Sequence, residues 1–385
     1  MTGQIQYTNL ELFFLCLGII ISGTVRCVIL PIIVSSYTSI IFLIINTTFQ
    51  ITIITGLIFA VSKYFIKASS DIEWKLYYPM ILAGIFSGIA VLCLYYSSNP
   101  IRTPVMIQSV FLGLMIIPSV IFTKIFLNKT TNYNYFYSSV SISLLLISIF
   151  ITILPLITND SNNNHINNEI NNSNNNSNNN SDNNSDSQSN NYVFGWIVLY
   201  LLGIILIALH SVFQEKYLMI TDNSLINQFR LLFFMSGIQF IMSVMFCWIE
   251  LFLGYHSDYK EVFISIYDSF TIFINEFKTT FLVELFIFSH VIMILLMIKL
   301  NSISTNYNMI LVNLVNQAMA LFFLIFPQFN NGIHYPYIVV LLSLMFSMSS
   351  VILWIYGESR NSAINTSFYD NMLSYQSYNT FLRNK

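Results

Sequence analysis

Three ionisable residues, Arg26, His210 and His290, sit inside long apolar runs. A charge at membrane depth is costly and by default marks a functional site. A guanidinium there attracts anionic groups and rejects cations; the competing reading is a long side chain snorkelling to the interface. Histidine changes charge between about pH 5 and 8, which suits a proton-coupled step, and the competing role is a neutral ring bonded to a neighbouring helix. Asn313, Asn316 and Gln317 share one helical face at spacings of three and four. Such a face either lines a cavity or ties helices together. Gln50, Gln108 and Gln239 are lone amides in other runs and read more readily as ties. Glu250 and Glu284 lie at the ends of their runs and read as interfacial. Gly84, Ser87 and Gly88 form a small-residue patch that predicts close helix packing. The candidate substrate-cavity set is Arg26, Gln108, His210, Gln239, His290, Asn313, Asn316 and Gln317, with Glu215 as a candidate gate.

Catalytic chemistry is not indicated. The chain has no H-E-x-x-H, G-x-S-x-G or P-loop pattern. Cys16, Cys27, Cys93 and Cys247 form no C-x-x-C pair and no metal-ligand spacing, so they read as packing residues. The expectation is a non-enzyme with no metal and no cofactor. A net charge of −2 argues against a nucleic-acid partner. The expected partners are a small-molecule substrate, protons as a candidate co-substrate, and membrane lipid.

The elements that position these residues follow from composition. Of 385 residues, 55% are hydrophobic and 8% charged, and the mean hydropathy is +0.68. Soluble domains carry roughly 25% charge, so lipid must cover this surface. The expected fold is an all-α polytopic membrane protein with ten transmembrane helices. At about 20 apolar residues per crossing, the spans fall near 10–33, 38–62, 77–97, 104–127, 136–158, 192–213, 225–253, 280–299, 306–328 and 334–356. No basic n-region precedes the first run, which reads as an uncleaved signal anchor. With both termini cytosolic, Lys63, Lys67, Lys75, Lys124, Lys129, Lys216, Arg230, Lys299, Arg360, Arg383 and Lys385 share the cytosolic side, against Arg102, Lys260 and Lys278 opposite.

In segment 159–191, 18 of 33 residues are Asn and seven are Ser. It cannot build a core and is expected to be a disordered lumenal loop. Its N-x-S sequons make Asn159, Asn171, Asn175, Asn179 and Asn183 glycosylation candidates; the competing reading is a neutral polyasparagine expansion. The loop divides the spans into two sets of five, 1–158 and 192–356, followed by a cytosolic tail, 357–385. An odd number per half forces opposite orientations, the inverted-repeat plan of many carriers. Apolar residues among polar ones near 258–277 predict a lumenal helix lying in the interface plane.

Several segments resemble, in order, the chloroquine-resistance-transporter-like family of the drug/metabolite transporter superfamily. They are Gly23-Thr24-Val25-Arg26 through Ser36-Tyr37-Thr38, Ile116-Ile117-Pro118 followed by Lys124-Ile125-Phe126-Leu127-Asn128-Lys129, Val212-Phe213-Gln214-Glu215-Lys216, Phe233-Phe234 with Gln239 following, and Ser304-Thr305-Asn306-Tyr307. Three features depart from the family. The link between spans seven and eight lacks paired cysteines, Leu114 stands where a glutamine is usual, and Asn316-Gln317 stands near where span nine has a Gly-Pro pair. The resemblance implies a ten-span carrier with cytosolic termini in a vacuolar, endolysosomal or plastid membrane. It implies transport of peptides, amino acids, thiols or organic cations, contributing to osmotic homeostasis of the compartment; the expected mechanism is alternating access by the two five-helix halves around a midplane cavity. Arg26 would set charge selectivity, Glu215 would sit at the cytosolic gate, and His210 or His290 would sense lumenal acidity. Tyr369-Asp370-Asn371-Met372 has the form of an endolysosomal sorting signal. A nucleotide-sugar or purine carrier of the same superfamily is the first alternative, but it needs several intramembrane cations and the chain offers only Arg26. A non-transporting membrane scaffold is the second, and it predicts a cavity filled by apolar side chains.

Overall fold

The computed structural model describes residues 9–66, 77–127, 136–154, 185–221, 224–253, 255–301, 305–326 and 336–357. Among them every regular element is helical. The helices are α1 (Asn9–Ser36), α2 (Ile40–Ile66), α3 (Tyr77–Ser97), α4 (Val105–Gly113), α5 (Ile116–Leu127) and α6 (Phe136–Leu154). They continue as α7 (Ser185–Ile220), α8 (Leu225–Met245), α9 (Ile249–Phe252), α10 (Tyr259–Asn275), α11 (Phe277–Asn301), α12 (Thr305–Ile325) and α13 (Tyr337–Gly357). Nine helical segments among the described residues, α4 and α5 counted as one, are long and apolar enough to cross a membrane. The chain is thus a multi-pass, all-α membrane protein, as lipid demands of a backbone that must satisfy its own hydrogen bonds. α12 is 21 residues long, and among its described residues Leu314–Ile325 forms a shorter apolar helix.

Local chemistry explains the interruptions. Pro118 has no N–H to offer the Leu114 carbonyl four residues earlier. The Ile117 N–H takes that carbonyl instead at 3.0 Å, and the chain kinks between α4 and α5. At the end of α3, Arg102 donates through Nη1 to the Tyr96 carbonyl at 2.6 Å, a cation on a helix C-terminus. The run expected as one span over 225–253 breaks after Met245, and α9 follows as a single turn. α7 is longer than expected at both ends. It begins at Ser185 inside the Asn/Ser-rich segment, because adding a residue to an existing helix is far cheaper than nucleating one. Residues 155–184 and 358–385, with the sequons other than Ser185 and the tail motif, lie outside the described residues.

In lipid there is little hydrophobic drive between helices, so close approach and interhelical hydrogen bonds hold the bundle. α3 packs on α7 and α8, α2 on α8, α1 on α11 and α12, α4 on α12, and α5 on α7. Glycines sit at these crossings. A Cβ at Gly84 would lie 2.8 Å from Ile238, and one at Gly88 would lie 2.9 Å from Met242, as the small-residue patch predicts. A Cβ at Gly203 on α7 would lie 2.9 Å from Leu94, and one at Gly23 on α1 would lie 2.8 Å from Val315. α6 and α13 are joined by serines. Ser141 and Ser350 donate to each other's carbonyls at 2.7 and 2.8 Å, and Ser148 and Ser343 do so at 2.8 and 3.1 Å. The seven-residue spacing in both helices keeps the serines on one seam.

Helix α10 turns Val262, Ser265 and Ser269 inward and Tyr259, Phe263, Tyr267, Phe270 and Ile274 outward. Its inward face docks on the α1–α2 turn. Ser269 Oγ accepts from the Ser39 N–H and pairs with Thr38 Oγ1, both at 2.9 Å.

Candidate functional site

A cavity of about 140 Å³ lies midway along the bundle, enclosed by α1, α2, α3, α7, α8, α11, α12 and the α4–α5 kink. Of the sequence-derived set, Arg26, His210, Gln239, His290 and Asn316 line it.

The crossing of α1 with α11 and α12 brings three of these together. Gly23 lets α1 press on Val315 and Met293, and Arg26 projects from the same face one turn later. Arg26 Nη1 lies 3.9 Å from the Met293 sulfur, and its buried Nε has no hydrogen-bond partner among the described residues. Asn316, beside Val315, is 2% exposed, and neither of its amide atoms has a partner among the described residues. His290 lies one turn from Met293 on α11, stacked on Phe286 with ring centroids 5.9 Å apart, and its Nδ1 has no partner. Each such buried polar atom left unpaired costs roughly 1–3 kcal/mol. A ligand that binds these atoms would relieve that cost.

His210 differs. Its Nδ1 lies 2.9 Å from the Ala83 carbonyl, which accepts only, so Nδ1 carries the proton. Its Nε2 then accepts from the Gln214 amide at 3.0 Å, and that amide also reaches the Met235 sulfur at 3.4 Å. His210 is a neutral ring tying α7 to α3 on the cavity wall, with both nitrogens engaged.

The remaining candidates lie elsewhere. Gln108 donates to the Ser98 and Thr103 carbonyls at 2.9 and 2.6 Å and braces the α3–α4 link. Gln317 turns toward α13 and donates to Ser347 Oγ at 3.3 Å. The side chain of Asn313 lies outside the described residues, as do Asn159, Asn171, Asn175, Asn179 and Asn183. Glu215 is buried on α7, one residue beyond Gln214 and outside the lining. No group of His, Cys, Asp and Glu able to hold a metal occurs among the described residues.

Sequence reasoning missed Thr55, Ser87, Ser211, Gln214 and Ser236 as lining residues. Thr55 and Ser236 meet across α2 and α8 at 2.8 Å. It also placed Glu250 and Glu284 at the interface. Glu250 is 2% exposed, accepting from Ser39 Oγ at 3.0 Å and the Ile41 N–H at 2.9 Å. It caps the N-terminus of α2, where a carboxylate meets free N–H groups and the helix dipole. Glu284 accepts from Gln50 at 3.1 Å on the α2–α11 surface. Tyr37, between α1 and α2, has its phenol pushed up to about 12 by burial, with the Glu276 and Glu284 carboxylates adding to the effect.

Compared with known proteins, the chain matches no protein-family model and no curated protein.

Proposed function

We propose that this protein is a carrier that moves small solutes across its membrane by alternating access. The observation that carries the reading is the midplane cavity, into which Arg26, Asn316 and His290 turn polar atoms without partners among the described residues. A scaffold would fill that space with apolar side chains.

The packing pattern supports a two-half architecture of ten spans. With α4 and α5 counted as one span and α9 and α10 set aside, the first half is α1–α6 and the second is α7–α13. Exchanging the halves turns the α3–α7 contact into α11–α1, the α3–α8 contact into α11–α2, and the α5–α7 contact into α12–α1, all of which are present. The α2–α8 and α6–α13 pairs map onto themselves. An inverted repeat has this property, and its halves can rock about a central site.

In the same proposal the membrane is vacuolar or endolysosomal, both termini are cytosolic, and the apolar outer face of α10 rests in the lumenal leaflet. The solutes are metabolites or nutrients of the size of amino acids, short peptides, thiols or organic ions. The test is flux into proteoliposomes holding the purified full chain, with and without an imposed pH gradient. Saturable uptake of at least one class is expected. No flux for any amino acid, peptide, thiol, organic acid or organic cation would overturn the reading.

A further inference from the structure

We propose that Arg26, Asn316 and His290 form a subsite for one carboxylate, and that the transported solute is a small monocarboxylate with an apolar body. The inference rests on the carrier reading and narrows its substrate class.

Among the described residues the cavity has no counter-charge. Among the described lining residues Arg26 carries the one permanent charge, and none is Asp or Glu. The contact found for its guanidinium is the Met293 sulfur, a weak acceptor. Arg26 is partly buried, its buried Nε has no partner among the described residues, and a carboxylate answers a guanidinium with two parallel N–H···O bonds. Asn316 adds an amide N–H donor, and its free Oδ1 accepts from a hydroxyl or ammonium on the same ligand. The His290 ring nitrogen supplies a further donor in the appropriate tautomer. A single fixed cation matches a singly charged carboxylate better than a phosphate dianion, which calls for several.

The rest of the wall limits the body of the solute. Val91, Ile207, Met235, Met293, Met297 and Val315 present apolar and thioether surface. Methionine adapts to irregular apolar shapes without fixing one. At about 140 Å³ the space compares with the engineered cavity of about 150 Å³ that takes up benzene. Organic cations meet Arg26 with like charge and no compensating carboxylate.

Binding and flux together test this. Purified full-length protein in detergent is titrated with radiolabelled 4-methylpentanoate, with its amide and the matching amine as competitors. The acid should bind and be displaced by other short apolar acids, whereas the amide and amine should compete at least tenfold less well. Arg26→Gln should weaken acid binding at least tenfold, and Arg26→Lys less. Without ligand, Arg26→Gln should melt at the same temperature or higher, because the buried Nε that lacks a partner is gone; a purely structural arginine would lower it. Amide binding as tight as acid binding, or an Arg26→Gln variant that binds the acid normally, overturns the subsite. In proteoliposomes, acid binding without flux of any solute refutes the carrier and leaves the subsite standing. Flux of cations or neutral solutes with no acid binding refutes the subsite and leaves the carrier standing.

Discussion

The two ends of the bundle are built differently. At the end holding the α1–α2 turn, loop and helix are locked by specific polar contacts. Glu250 caps α2, Ser269 and Thr38 join α10 to the turn, and His256 Nε2 lies 3.1 Å from Ser265 and 3.5 Å from Glu250. Arg102 is held between the Trp196 and Tyr255 rings, 4.7 and 4.5 Å from their centroids. Beneath this network one apolar cluster, including Ile33, Ile44, Tyr95, Trp196 and Phe286, runs continuously through α1, α2, α3, α7 and α11. At the opposite end the packing is divided. Leu15, Ile19 and Leu300 form one small cluster, and Met80, Phe213, Tyr217 and Leu231 belong to another. The cavity lies between the two ends, reaching from Leu30 and Tyr95 on one side to Ile19, Gln214 and Met297 on the other. In the proposed carrier, the Glu250 end is the shut gate of this conformation, and it is shut by hydrogen bonds that a substitution can remove.

The largest effect is expected from Glu250→Leu. It strands the Ile41 N–H and the Ser39 hydroxyl, each bound here to a carboxylate, and such bonds contribute roughly 1.5–3 kcal/mol apiece. The melting temperature should fall by several degrees. A single cysteine introduced at the buried Val34, in a background where the four native cysteines are serine, should react faster with a membrane-impermeant thiol reagent. Glu250→Gln keeps an acceptor and should show less of both. An unchanged labelling rate would mean that the apolar cluster alone closes this end. Arg102→Ala ranks next. It removes two ring contacts worth roughly 0.5–2 kcal/mol each and the bond to the Tyr96 carbonyl. The same labelling assay should register a smaller increase.

The divided end should tolerate change better. A Cβ at Gly18 would lie 2.8 Å from the Leu296 Cδ1, the tip of a flexible side chain. Alanine also favours the helix by up to about 1 kcal/mol over glycine. Gly18→Ala should therefore alter the melting temperature by no more than a degree or two. A drop as large as that of Glu250→Leu would show that both ends are equally rigid and would erase the contrast.

Much of this was legible in the residues. Among the described residues nine apolar segments correspond to expected spans, because lipid leaves the backbone few other choices. Arg26, His290 and Asn316 announced themselves, since a strongly polar side chain in an apolar run needs a reason to be there. The small polar residues did not. Thr55 satisfies its hydroxyl on the Ile51 carbonyl of its own helix at 2.8 Å, so its presence says nothing about which way it faces. Gln108 was misleading for a different cause. Its partners, the Ser98 and Thr103 carbonyls, are free only because α3 ends where it does. Glu250 looked peripheral in sequence, and its role depends on a turn 209 residues away. Polar residues whose partners are remote in sequence become readable only once the helices are packed.

The smallest effect lies at the first turn of α10. Glu261 Oε2 accepts from the Ser257 N–H at 2.8 Å and the Ser257 hydroxyl at 3.0 Å, a reach back across the helix start. These bonds, the backbone one foremost, hold its carboxyl below its ordinary value of 4.5. The sign follows from linkage: a depressed carboxyl stabilises the ionised, bonded form, so its contribution is full above 4.5 and disappears as pH falls through the lowered value. Because the side chain is solvent-exposed, the consequence is local fraying and not unfolding. Hydrogen exchange of the amides in residues 257–261 should accelerate in wild type as pH drops below 4.5, once corrected for intrinsic rates. Glu261→Gln should exchange faster at neutral pH and show no such step. The amides around Ser265 and Ser269, fixed to the α1–α2 turn, should stay protected throughout. If they loosen over the same window, α10 is held by its own first turn and not by the network around Glu250, and the source of rigidity at this end must be reassigned.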